Sequence, residues 1–217
     1  LLTRRVSLIM LCVMMNPQER KRQEREARRH RIQDAARPVF FERGFARASI
    51  EDIAKQAQLS VGAIYLYFKS KEDLYLSILE RSLRDLGGSL AGANDPQTAW
   101  DALAAWRQAE PESARALAMV SRPELRATLT QEVADGLAVA IHQVRSALIG
   151  AVTHAVSSRT YRACDAGAVG ETLWATFLGG CAIDAAAVNV GGSTPPAADL
   201  FAVIDGTLRA AAMRAAA

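Results

Sequence analysis

Aromatic residues make up only 6% of the 217-residue chain, and glycine (14) and proline (7) are sparse. That scarcity argues against an all-β chain and against a collagen-like repeat. Cysteine is rarer still. Cys12, Cys164 and Cys181 are odd in number and show no C-x-x-C spacing, so neither a disulfide framework nor a zinc knuckle is implied, and a reducing cytoplasm fits best. Catalytic signatures are missing as well: there is no G-x-G-x-x-G or phosphate-loop glycine pattern, no G-x-S-x-G elbow and no H-E-x-x-H. His142 and His154 stand twelve residues apart, about 120° around a helix, so they form no metal pair. No enzyme, cofactor or metal is implied.

A long apolar run is also lacking. Arg4 and Arg5 followed by Val6 to Met15 have the outline of a signal peptide, but no small-residue cleavage site follows. Ten residues cannot cross a bilayer that requires about 20. Translation is therefore expected to start at Met14 or Met15, with residues 1–15 an extension outside the fold, and no membrane partner is expected.

What the chain does have is alanine, the best helix former, within a composition half apolar and 23% charged. An all-α protein follows. Its charge is uneven: residues 1–85 hold 17 Lys/Arg against 11 Asp/Glu, whereas residues 86–217 hold 9 against 12. A polyanion would bind the amino-terminal part.

Helical periodicity runs from Gln18 to Arg43, with Ile32, Ala35, Ala36, Val39 and Phe40 on one face, and Gly44 supplies a stop. Pro38 removes a hydrogen bond to Asp34 and predicts a kink there. Ser49 caps a second helix, with Asp52 at the capping-box position and Ile50, Ile53, Ala54 and Ala57 on its buried face. Across a tight turn at Gln58–Leu59, a third helix begins near Ser60 and carries Val61 to Tyr67, which makes a helix-turn-helix. Ser70 repeats the capping signal, and leucines carry a fourth helix to Gly87–Gly88. Beyond the break at 87–96, Thr98–Ala109 and Ser113–Val120 read as short helices, Glu124 to about Val156 as one long helix, 166–190 as another and 197–215 as the last.

The stretch SIEDIAKQAQLSVGAIYLYFKSKEDL, Ser49 to Leu74, with FFERGF before it, closely resembles the DNA-binding domain of the tetracycline-repressor (TetR) family of bacterial transcriptional regulators. The resemblance covers roughly residues 24–80 and is architectural beyond residue 90. It implies a helix-turn-helix DNA-binding domain with its connecting helix at 16–85 and a helical ligand-binding and dimerisation domain at 86–217. It also implies a homodimer that represses transcription until a small molecule releases it from a palindromic operator. By the same resemblance Tyr65, Tyr67 and Lys71 match phosphate-contacting positions, Ser49 matches a hydroxyl that touches the backbone, and Ser60, Val61 and Ala63 match positions facing bases. The residue types agree: Gly62 and Ala63 keep the leading turn slim, and hydroxyls and Lys71 donate to phosphates. Arg20–Arg31, interleaved with Glu24 and Glu26, lends electrostatic support only. Gln58, where the family commonly has glycine, Val61, where it often has a polar residue, and Pro38 depart from the pattern.

In the remaining domain Trp100, Trp106, Met119, His142, Trp174 and Phe177 are large side chains on helices that could surround a cavity for an apolar or aromatic effector. The bland alternative for each is ordinary core. Asp184 lies in a largely apolar helix and needs a partner: a ligand, a subunit or solvent. The last two helices, with Gly179, Gly180 and Leu200, Val203, Ile204 and Leu208, match the surface through which family members pair. A helical carrier of hydrophobic ligands or a partner-binding scaffold would share the carboxy-terminal features without needing the 49–71 pattern.

Overall fold

The computed structural model describes residues 16–120, 123–190 and 197–214. The expected extension at 1–15 lies outside them. Most of the described residues are helical, and no strand occurs among them. They divide into two compact units, one ending at Tyr67 and one beginning at Phe68. The helix that starts at Lys71, expected as the connecting helix, clusters with the second unit.

The first unit holds α1 (Pro17–Arg47), α2 (Ile50–Ala57) and α3 (Val61–Tyr65). Asn16 caps α1, its side chain accepting from the Gln18 amide at 3.1 Å, and Pro17 occupies the first turn, where no N–H is needed. The buried face carries Ile32, Ala36, Val39 and Phe40, the predicted periodicity apart from Ala35, which is half-buried. It packs on Ile50, Ile53 and Ala54 of α2. The expected kink at Pro38 is not where the helix breaks. The non-helical backbone lies at Gly44 (φ 70, ψ 162), a left-handed conformation that glycine adopts without a Cβ clash. Gln58 ends α2 with φ 54 and ψ 45, also left-handed, so this side chain stands where glycine would be unstrained. Helix α3 is two residues shorter than expected, ending at Tyr65.

The second unit contains α4 (Lys71–Leu90), α5 (Pro96–Ala109), α6 (Pro111–Met119), a 3₁₀ turn (Pro123–Thr128), α7 (Gln131–Ser157), α8 (Ala166–Val190) and α9 (Ala197–Arg214). Nearly every residue of α4 from Asp73 to Leu83 is buried, as befits a helix surrounded by others rather than lying on a surface. It packs chiefly on α7, and α7 on α8. The Gly87–Gly88 stop was not realised; α4 continues to Leu90. Gly87 is instead a close-approach point, where an added Cβ would lie 3.3 Å from the Cβ of Gln143. Gly170 plays the same part in α8, its Cβ position lying 3.0 Å from the Ile149 Cα of α7.

The single helix expected over 124–156 is divided. Thr130 starts α7 by accepting from the Val133 amide at 3.3 Å, and the preceding segment is the 3₁₀ turn. Asp73, fully buried, explains the interruption. Its Oδ1 accepts from the Thr130 amide (2.8 Å) and hydroxyl (3.0 Å), and its Oδ2 accepts from the Lys69 amide (2.9 Å). Lys69 Nζ and Ser70 Oγ donate to the carbonyls of Ala127 and Thr128 at 3.1 and 3.0 Å. By length and composition α7 is apolar enough to cross a membrane. Its stripe Val133, Leu137, Ala140, Val144, Leu148 and Val152 is buried in this unit, the pattern of a core helix.

Asp184 finds its partner within the chain, an ion pair with Arg107 Nε at 3.1 Å. Gly180 lets that guanidinium lie across α8, since a Cβ there would collide with Arg107 Nη1.

Two stability measurements follow. Asp73→Ala strands the Lys69 and Thr130 donors, each worth about 1–3 kcal/mol when buried without an acceptor. Urea unfolding followed by circular dichroism should show a loss of about 3 kcal/mol. Gln58→Gly relieves a left-handed side chain, and hydrogen exchange in α2 should slow by the equivalent of about 1 kcal/mol.

Candidate nucleic-acid interface

Helix α3 is set in place by its caps and by one apolar anchor. Ser60 Oγ accepts from the Ala63 amide at 3.1 Å, and Ile64 is completely buried. With Ile64 inward, a five-residue helix turns Gly62 and Tyr65 outward: both are exposed, Tyr65 by 51%, and nothing lies within 4 Å of a Cβ built on Gly62. Val61 and Ala63 are half-buried on its flanks. A slim leading turn with open space beyond it is what a major groove admits.

Ser49 does for α2 what Ser60 does for α3, with one difference. Its hydroxyl accepts from the Asp52 amide (3.1 Å) and donates to Asp52 Oδ2 (2.8 Å), so its one proton is committed within the protein. Asp52 also pairs with Arg43 Nη1 at 2.6 Å. The Ser49 hydroxyl, and beyond it the Arg43 guanidinium, hold the Asp52 carboxyl below the ordinary aspartate value, against the opposing effect of its desolvation. Ser60, by contrast, is exposed and has no acceptor for its proton among the described residues.

Tyr65 and Tyr67 were read alike but sit differently. Tyr67 is half-buried, with the guanidinium of Arg25 5.5 Å from its ring centroid, within cation–π range. Arg29, only 4% exposed, donates from Nη1 to the Tyr67 carbonyl at 3.1 Å. These two arginines of α1 thus tie the segment after α3 to the long helix. They were assigned only general electrostatics from the sequence. Their spacing of four residues, which places both on one helix face, is the signal that could have set them apart. The sequence reading also passed over Leu66, which is 73% exposed beside Tyr65. Lys71 opens α4 in the second unit, half-buried in its first turn.

Of the six side chains proposed for a ligand cavity, four meet in one place. Phe177 lies 6.4 Å from Trp100, 6.0 Å from Trp106 and 5.9 Å from Trp174, ring centre to ring centre, and Trp100 stacks on Phe201 at 5.7 Å. All five rings are buried, and Trp106 Nε1 donates to Ser82 Oγ at 2.8 Å. They pack on one another as core. Met119 is half-buried at the end of α6, and His142 is exposed on α7, away from that cluster's burial.

Residues 32–78 match the family model described as bacterial regulatory proteins, tetR family. The HTH-type transcriptional regulator TtgR of Pseudomonas putida is 35% identical over 89 residues, which are 41% of this chain and 42% of that protein. The chain spans about half the length, or less, of the curated relatives it matches. Two solved structures share the fold. A TetR transcription regulator from Haloarcula marismortui superposes with a TM-score of 0.60 at 21% identity, over 88% of this chain and 98% of that one. The transcriptional regulator FadR of Bacillus subtilis, solved in complex with stearoyl-CoA, does so at 0.53 and 21% identity, over 83% and 97%. The chain is thus similar in sequence to the tetR family of bacterial regulatory proteins across its helix-turn-helix, and shares the fold of solved regulators across most of its length.

Proposed function

We propose that the chain is a cytoplasmic, non-enzymatic transcriptional repressor that binds a palindromic operator as a homodimer and is released by a small-molecule effector. The observation that carries the DNA-binding part is α3: a capped helix anchored by Ile64, with Gly62 and Tyr65 outward and no side chain crowding Gly62. In this reading α3 lies in the major groove. Val61 and Ala63 meet base edges by apolar contact, which favours thymine methyls, while Ser60 and Tyr65 donate to phosphates. Tyr67 positions the segment beneath Arg25, and Lys71 adds a phosphate contact from the first turn of α4. Ser49 acts through the cap it forms on α2.

For the dimer, α8 and α9 leave Ile183 and Val203 exposed at 46% and 73%, apolar surface suited to a two-fold interface. Leu208 is buried within the protomer, so it stabilises α9 rather than the pairing. An effector contacting Trp100, Trp106, Trp174 and Phe177 would have to part rings that now touch. A ligand with such a cost binds the altered conformation, which is the condition for shifting a two-state equilibrium. FadR of Bacillus subtilis, with its bound stearoyl-CoA, offers a precedent in the same fold for a large apolar ligand.

DNA binding separates the roles. Lys71→Ala should weaken binding to all sequences alike and lower the slope of log K against log salt by about one, as loss of one phosphate contact requires. Ala63→Ser should instead change the ranking of operator variants at an unchanged slope; the reverse pattern would exchange the two assignments. For release, affinity for a candidate effector is measured with and without operator. Reciprocity demands that operator weaken effector binding by the factor by which effector weakens operator binding. Equal affinities would exclude that compound as the regulator.

A further inference from the structure

Between the last turns of α4 and the middle of α7 runs an open groove of about 670 Å³, lined by Arg84, Gly87, Gly88, Ala91, His142, Gln143, Ser146 and Ala147. It lies wholly within the second unit and shares none of the rings of the aromatic cluster. We propose that this groove binds an amphipathic monocarboxylate, an acyl chain of medium length lying along α4 with its carboxylate on Arg84.

The floor is made by residues with little or no side chain. Gly87 has a packing reason to be glycine, because a Cβ would press on Gln143. Gly88 has none: nothing lies within 4 Å of the Cβ position, and its backbone is helical. Glycine is the poorest ordinary residue for a helix interior, so an unforced glycine here weakens α4 while keeping the groove open. From Arg84 to Ala91 the groove follows α4 for about 10 Å, from the helical rise. Its volume lies in the range of small-molecule sites, roughly 300–1,000 Å³.

Four of the eight lining residues are polar, and Arg84 alone among them carries a fixed charge. The Arg84 guanidinium is held from one side by the Glu80 carboxylate, one turn back on α4. Glu80 is itself nearly buried, against Gly136 of α7. A guanidinium has five N–H donors in a planar fork, so this pairing orients Arg84 and leaves donors for a second carboxylate. On α7, His142 Nε2 and Ser146 Oγ lie 3.4 Å apart one turn from each other, with Gln143 beside them. One fixed cation and three further polar side chains over a glycine and alanine floor suit a single anionic head on an apolar body. A sugar or a nucleotide would leave most of its polar groups without partners.

The test uses the intact chain without operator, so its outcome is separate from the DNA-binding reading. Isothermal titration with sodium octanoate should show saturable binding at one site per chain, and octanamide, the neutral isostere, should bind at least tenfold more weakly. Arg84→Gln should weaken octanoate at least tenfold and octanamide less than threefold. Gly88→Leu, which places a good helix former into open space, should remove binding of both at unchanged helicity, and Ala91→Phe should do the same if Gly88→Leu does not fold. Absence of saturable octanoate binding, equal binding of octanamide, or octanoate affinity that survives the groove-filling variants would each overturn the proposal.

Discussion

Asp73 is the constraint on which the arrangement of the second unit rests. A carboxylate with no solvent exposure is tolerated only where its oxygens are satisfied, and here it accepts from two backbone amides and one hydroxyl. Two of those donors belong to Thr130, nearly sixty residues away, so the first turn of α4 and the start of α7 cannot be placed independently. The register of the longest helix pairing in the unit is thereby fixed at one end. Apolar side chains then complete it, down to the contact of Gly87 with Gln143.

The same economy governs the first unit, where polar groups that shape the helices also decide which faces remain available. A cap is worth about 1 kcal/mol, comparable to a net hydrogen bond to solvent-accessible phosphate, so a serine that caps is not idle if it never meets DNA. Ser49 spends its proton on Asp52, while Ser60 keeps its own. Arg25 and Arg29 show the converse. In a basic helix that would ordinarily be solvated, these two are held against Tyr67 and its carbonyl, where a buried guanidinium donating to a carbonyl orders backbone rather than attracting counter-ions.

Much of this was legible in the sequence, and the exceptions share a cause. The periodicity of Ile32, Ala36, Val39 and Phe40 and the caps at Ser49, Ser60 and Ser70 are local signals, and the structure realises each. Where the reading missed, a tertiary contact decided. The Gly87–Gly88 pair is a stop by propensity, but α7 packs against Gly87 and α4 continues. Leu125 and Leu129 continue the apolar stripe of α7 on paper, yet Thr130 is claimed by Asp73 and the helix begins after it. Pro38 and Gly44 are both breakers. Proline's fixed φ already suits a helix, whereas the extended positive-φ backbone of Gly44 (φ 70, ψ 162) is one that essentially only glycine adopts, and the break falls there. The aromatic residues of the second unit could be placed on helices but not against one another, because periodicity gives a side chain's face and not its neighbour. His142 could be called neither wall nor core by pattern, and it stands on the rim of a groove made by two glycines from another helix.

The three tryptophans of the chain, Trp100, Trp106 and Trp174, all lie in the second unit, all buried, within one network of touching rings. The first unit has tyrosines but no indole. The intrinsic emission of this protein is therefore a report from one half of it. Energy absorbed by any of the indoles is shared across a cluster whose polarity changes only when those rings separate or meet water. An emission shift followed through denaturation marks the loss of the second unit's interior and is silent on α1 to α3, whose melting has to be read from backbone ellipticity. Where the two curves diverge along a denaturant series, the divergence measures how far the helix-turn-helix and the second unit fold as separate cooperative bodies.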